Sequence, residues 1–195
     1  MTTLLSRLTL VLMSCLTFPS LVGAQQPAGQ DRVNPDAQLL QDFKARVDEY
    51  IELRDKLEKK GPPMKETEDP ARIKAAQDTL AANIRSARKG AKPGEIFTPD
   101  VRALFRRLMY PETKGRKGAD TKQTIKEDAP APGSVPLKVN AKYPEGEPLP
   151  TVPPNLLAAV PKLPDGLEYR IVRNHLILRD AHANLIVDFI PNAIR

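Results

Sequence analysis

The chain has 195 residues, a formal net charge of +6, 20 prolines, no tryptophan and one cysteine, Cys15. With that cysteine inside the N-terminal apolar stretch, everything after it lacks the means for disulfides, thiolate catalysis or cysteine-ligated metals. Aromatic residues at 5% and a mean hydropathy of -0.40 predict one modest core or two small ones, with a substantial disordered fraction.

Residues 1–24 have the order of features of a secretory signal peptide. Arg7 is a minimal basic start, Leu8 to Leu21 is apolar but broken by Pro19, and Val22-Gly23-Ala24 supplies small residues for cleavage. Spanning a bilayer takes ~20 uninterrupted apolar residues, so a membrane anchor fits less well, and no transmembrane helix is expected in the mature chain. Leu12-Met13-Ser14-Cys15 loosely resembles a lipobox, but it would leave an apolar mature start. The reading is therefore an exported chain, periplasmic or secreted, that begins at Gln25 with a disordered stretch over 25–34.

Three helices are announced by a capping residue followed by proline: Asn34-Pro35, Asp69-Pro70 and Thr98-Pro99. Proline suits the first helical position because the N–H there has no intrahelical partner. Helix one is predicted from Pro35 to about Lys60, with Leu39, Leu40, Phe43, Val47, Tyr50, Ile51, Leu53 and Leu57 on one face. Arg54 lies within that stripe and is read as a snorkelling guanidinium with a wet head, a buried functional arginine being the alternative. Helix two, from Pro70 to about Lys89, has the narrower stripe Ile73, Ala76, Leu80, Ile84 and Ala87. Together they predict an antiparallel hairpin. Helix three, Pro99 to about Tyr110, turns Val101, Leu104, Phe105 and Leu108 inward, with Arg102 and Arg106 on the outside.

This helical region, 35–111, is followed by a predicted Pro-rich linker over 112–166. Half of all prolines fall between Ala129 and Pro164, and Lys114-Gly115-Arg116-Lys117-Gly118 is charged and glycine-rich. Two apolar islands interrupt it: Val135–Val139 as an edge strand, and Leu156–Val160 as one helical turn. Residues 167–195 predict an antiparallel meander of Leu167–Val172, His175–Arg179 and Leu185–Ile190. Turn lengths set Tyr169 opposite Leu178, Leu178 opposite Val187 and Leu176 opposite Phe189. That register gathers Tyr169, Ile171, Leu176, Leu178, Leu185, Val187 and Phe189 on one face. Glu168, Arg170, Arg179 and Asp188 then surround Ile177 on a solvated, ion-paired face. The predicted fold class is α+β.

The segments Gly94–Arg102 with Phe105–Leu108, and Leu163–Arg170 continuing through His175–Asp180 to Ala183–Asp188, resemble those of uncharacterised exported bacterial proteins. The resemblance covers about the last half of the chain. It implies export and a shared C-terminal module, and carries no functional residue.

Chemistry-bearing motifs are scarce. No serine nucleophile elbow, phosphate-binding glycine loop, dinucleotide fingerprint or HExxH is present, so no catalytic residue and no cofactor is predicted. The two histidines, His175 and His182, tempt a metal reading with Asp180 and Asp188. Seven strand residues at ~3.3 Å each separate them too far for a shared shell, so no metal site is predicted. Asp180 reads as a turn cap.

Charge gives the one lead. Residues 88–117 hold 9 basic and 3 acidic groups, which makes Arg102, Arg106, Arg107, Lys114, Arg116 and Lys117 a candidate anion-binding surface for lipid headgroups, envelope polymer or nucleic acid. The alternative is a solvated face that keeps a basic protein soluble, since aromatic interleaving for base stacking is missing. The functional expectation is a non-enzymatic envelope protein that contacts another envelope protein. An anion-binding module comes second and a hydrolase-like enzyme third.

Overall fold

All three proline-marked caps form as the sequence dictates. In the computed structural model, which describes residues 34–61 and 69–195, Asn34 Oδ1 accepts from Asp36 N at 3.1 Å. Asp69 Oδ1 accepts from Ala71 N at 2.9 Å, and Thr98 Oγ1 from Val101 N at 3.4 Å. The helices are α1 (Pro35–Glu58), α2 (Pro70–Ala87) and α3 (Pro99–Met109). The predicted signal peptide and nearly all of the 25–34 stretch lie outside the described residues. Among the described residues, no helix is long and apolar enough to cross a membrane.

The stripes bury less than the helical wheels suggest. Helix α1 buries Phe43, Val47, Tyr50 and Arg54, and α2 buries Leu80, Ala81 and Ile84, while Ile73 stays 48% exposed. Helix α3 buries Met109 where Leu108 was expected. Phe43, Phe97 and Phe105 join α1, the loop before α3, and α3, with ring centroids 5.0–5.6 Å apart. Phe105 continues to Tyr169 of the sheet at 6.1 Å. Helices and sheet thus share one hydrophobic cluster.

The sheet is the predicted meander, β1 (Leu167–Val172), β2 (His175–Asp180) and β3 (Leu185–Ile190), in that spatial order. The fold class is α+β, with helices in the N-terminal part and an antiparallel sheet at the C-terminus. The β1–β2 register is as predicted, Tyr169 opposite Leu178 and Ile171 opposite Leu176. The β2–β3 register is not: Leu178 faces Asp188, Leu176 faces Ile190 and Ile177 faces Phe189. Between Arg179↔Ile186 and Leu178↔Asp188 the extra residue Val187 forms a bulge. A bulge shifts everything beyond it by one position. Asp188 and Ile190 therefore turn toward the helices, and Phe189 turns to the opposite face.

Two further expectations are overturned. The opposite face of the sheet is not open to solvent: Val135 and Tyr143 cover Val172, Ile177 and Ile186 in a second cluster. Nor are residues 112–166 a free tether. A short 3-10 turn (Pro111–Thr113) leads into α4 (Gly115–Glu127), which buries Thr121 and Ile125. Gly118 is not there for flexibility; a Cβ on it would lie 2.2 Å from the Thr113 carbonyl carbon, so only glycine lets α4 sit against that turn. Helix α5 (Pro154–Ala159) realises the predicted turn and sends Leu156 into the main core. The Val135–Val139 island forms no strand, although Asn140–Tyr143 just beyond it pairs with β3. Proline fixes the extended path, and the apolar islands between prolines dock it.

Candidate anion-binding face

The bulge that moves Asp188 decides what the basic segment does. Asp188 is fully buried, and the loop after α2 curls its backbone N–H groups around the carboxylate. Ile96 N and Phe97 N donate to Oδ2 at 2.9 and 2.8 Å, and Gly94 N donates to Oδ1 at 3.0 Å. Gly94 adopts φ 103°, a conformation that glycine enters without a Cβ clash. Phe189 N adds a donation to Oδ1 at 2.8 Å. A buried carboxylate is tolerable only when its lone pairs are met this way.

Arg102 stands beside that arrangement without a hydrogen bond to it, and its Nε and Nη2 have no hydrogen-bond partner among the described residues. Its side chain is 19% exposed and brings Nη2 to 4.0 Å from Asp188 Oδ1. It leans inward and is not on the outer face predicted for it. Arg106 reaches the chain after β3, donating from Nη2 to Pro191 O at 2.7 Å and from Nε to Asn192 O at 3.4 Å. Burial, then the positive charges of Arg195 and Arg102, hold the Arg106 guanidinium below the usual arginine range. Arg107 is paired with Asp36, and Arg88 is shared among Asn140 Oδ1, Val187 O and Glu95 Oε2. Lys114 lies 4.5 Å from the Tyr110 ring centroid, a cation–π contact. Arg116 and Lys117 are exposed on the first turn of α4. Of the six predicted anion-binding residues, Arg102, Arg106 and Arg107 are thus engaged within the fold.

Four cations outside the predicted set gather elsewhere. A groove of about 590 Å³ lies between α4 and the β1–β2 turn, lined by Lys122, Ile125, Lys126, Pro130, Arg173 and Arg195, among others. All four cations are exposed, and none has an ion pair among the described residues. No aspartate or glutamate lines the groove, and no aromatic ring does. Arg195 also borders a second hollow of about 370 Å³, shared with Arg106, Arg107, Tyr110 and Thr113. Arg195 is the lining residue that the two hollows share. Ile125 fixes the orientation of Lys122 and Lys126: it is buried, and the two lysines stand one turn apart on the side left open.

Sequence reasoning missed this set because Lys122 and Lys126 lie in a stretch, 118–129, with more acids than bases, and Arg173 in a turn. The i, i+4 spacing of the two lysines was the available signal. It became usable only once α4 was known to be a helix.

The other candidates are accounted for within the fold. Asp180 caps its turn by accepting from Ala183 N at 3.0 Å, and its other oxygen accepts from Tyr50 Oη at 2.7 Å. Burial first, then Asp180, raises the Tyr50 hydroxyl well above its ordinary range. Arg54 does not keep a wet head: its side chain is 6% exposed and donates to Asp55 Oδ1 and Asp165 O. His175 accepts from Asn192 N at 3.2 Å, and His182 stands 3.5 Å from Glu58. No family model, curated protein or solved structure matches the chain.

Proposed function

We propose that this chain is an exported, non-enzymatic binding module that holds a polyanionic chain along the face of Lys122, Lys126, Arg173 and Arg195. The observation that carries the reading is a concave groove lined by four cations that, among the described residues, have no ion pair and no bordering carboxylate side chain. Like charges kept close together repel, so an anion entering between them relieves repulsion as well as gaining attraction. A groove admits a chain of phosphates or carboxylates better than it admits a flat lipid surface. The lack of an aromatic lining leaves nucleobases nothing to stack on. Phosphates and carboxylates are thus the recognised groups, and an envelope polymer is the class of partner.

Export rests on residues 1–24, and sequencing of material collected outside the cytoplasm should begin at Gln25. Binding is tested with long-chain polyphosphate and poly-glutamate on a column eluted by salt. The wild-type chain is retained and elutes as ionic strength rises. Phosphatidylglycerol vesicles are the contrast. Retention by vesicles but not by either polymer would contradict the groove reading.

A further inference from the structure

The two edges of the sheet are finished differently. Along β3, Asn140 N donates to Ile186 O and Ile186 N to Ala141 O, both at 2.8 Å, and Tyr143 N donates to Asn184 O at 3.0 Å. That edge is closed by the chain itself. On β1, Val172 and His175 flank a two-residue turn and therefore exchange bonds, as do the alternate pairs Arg170↔Ile177 and Glu168↔Arg179. The backbone groups of Tyr169 and Ile171 point the other way. Neither has a backbone partner on that side among the described residues.

A groove of about 700 Å³ lies beside this edge, its outer wall formed by Val152, Leu157, Pro161 and Leu163. On the β1 side it is lined by Leu167 and Tyr169 from one face of the strand and by Glu168 and Arg170 from the other. Lining from both faces means that the groove opens along the strand's edge. Leu157 is 50% exposed there. Tyr169 is 5% exposed, yet its hydroxyl has no hydrogen-bond partner among the described residues; nor has Arg170 Nε. Glu168 is held by both Arg170 and Arg179, while Lys162 at the rim is exposed and has no ion pair among the described residues. The charge left over at the groove is positive.

We propose that the β1 edge takes an extended segment of a partner protein, apolar at alternate positions with an acidic residue beside Lys162, added as a fourth strand. Unpaired edge groups provide main-chain bonding, and the apolar wall provides pockets for every second side chain. The positive remainder selects the acid. A second copy of the chain fits less well, because its own β1 edge would bring another Lys162 and Arg170 to the same rim.

The test uses the full mature chain and a random-peptide display library, with a Leu157→Glu variant as counter-selection. Leu157 is half exposed, so the variant should keep the wild-type melting temperature, which is checked first. The expected result is enrichment, on the wild type only, of peptides with alternating apolar residues and an Asp or Glu at one end. Synthetic versions should slow hydrogen exchange at the Tyr169 and Ile171 amides. They should lose at least tenfold in affinity when N-methylated at alternate amides. Three results would overturn the proposal. They are peptides enriched equally on Leu157→Glu, binding indifferent to N-methylation, and a free chain that dimerises with its Tyr169 amide already protected.

Discussion

Helices α3 and α4 are neighbours in sequence and both carry arginine or lysine at i, i+4 spacing, yet their cations do opposite things. On α3, Arg102 and Arg106 turn toward β3 and the chain after it, one beside Asp188 and the other on the carbonyls of Pro191 and Asn192. On α4, Lys122 and Lys126 face a groove and have no ion pair among the described residues. The two helices carry the same formal charge, +2, from three bases and one acid on α3 and four bases and two acids on α4. What separates the two helices is the availability of acceptors, and the β3 bulge supplies those to α3 alone. A count of charges along a chain locates neither set, because it registers cations and not their partners.

The sharpest way to break this comparison is at the acceptor. Asp188→Ala leaves the amides of Gly94, Ile96 and Phe97 without their acceptor and the Arg102 guanidinium without its neighbouring counter-charge, and should cost about 3–5 kcal/mol in urea unfolding. A loss below about 1 kcal/mol would mean that the loop has other partners. Next in size, Arg102→Gln with Arg106→Gln should destabilise by about 1.5–3 kcal/mol, since the Arg106 bonds to Pro191 O and Asn192 O and the Arg102 charge beside Asp188 are lost. Both variants sharpen the claim that α3's charges are structural.

A smaller effect concerns pH. Burial alone would raise the Glu168 carboxyl, but hydrogen bonds from Arg170 and Arg179 outweigh it and hold the group below its ordinary value of 4.5. A carboxylate depressed on folding stabilises above its unfolded pKa and loses that contribution as pH falls through the folded value. Stability should therefore decline below about pH 4.5, and Glu168→Gln should flatten that limb of the pH profile. An unchanged profile would remove Glu168 as its source. The smallest effect is expected on α4 and the turn: Lys122→Gln, Lys126→Gln and Arg173→Gln together should leave the melting temperature nearly unchanged, as exposed positions shift stability by only ~0.5 kcal/mol each.

Much of the fold was legible because local signals and global packing agreed. Asn34, Asp69 and Thr98 before their prolines located three helix starts, and the two-residue turn set the β1–β2 register. The remainder depended on long-range partners. The Val187 bulge is stabilised by what Asp188 meets across the molecule, a loop some ninety residues earlier, and no turn length records that. Gly118 reads as flexibility until Thr113 is placed against it. The prolines of 129–164 indicated extended backbone correctly, but extended backbone can lie docked on a sheet as well as free in solvent. The partners of the candidate surface were hidden for the same reason. Arg102, Arg106 and Arg107 were chosen by density, and only the fold shows which cations already have partners.

The central claim is that the unpaired cations, and not the densest ones, bind the polyanion. Salt titration of polyphosphate binding tests it directly by comparing wild type with two triple variants. One is Lys122→Gln/Lys126→Gln/Arg173→Gln, and the other is Arg102→Gln/Arg106→Gln/Arg107→Gln, measured at a temperature where both remain folded. For the first, the slope of log affinity against log salt should fall by roughly two to three units, about 0.7–0.9 per lost contact, with affinity falling alongside it. The second should keep nearly the wild-type slope while melting earlier. A first variant that binds like the wild type, beside a second that has lost its slope without losing stability, would contradict the account.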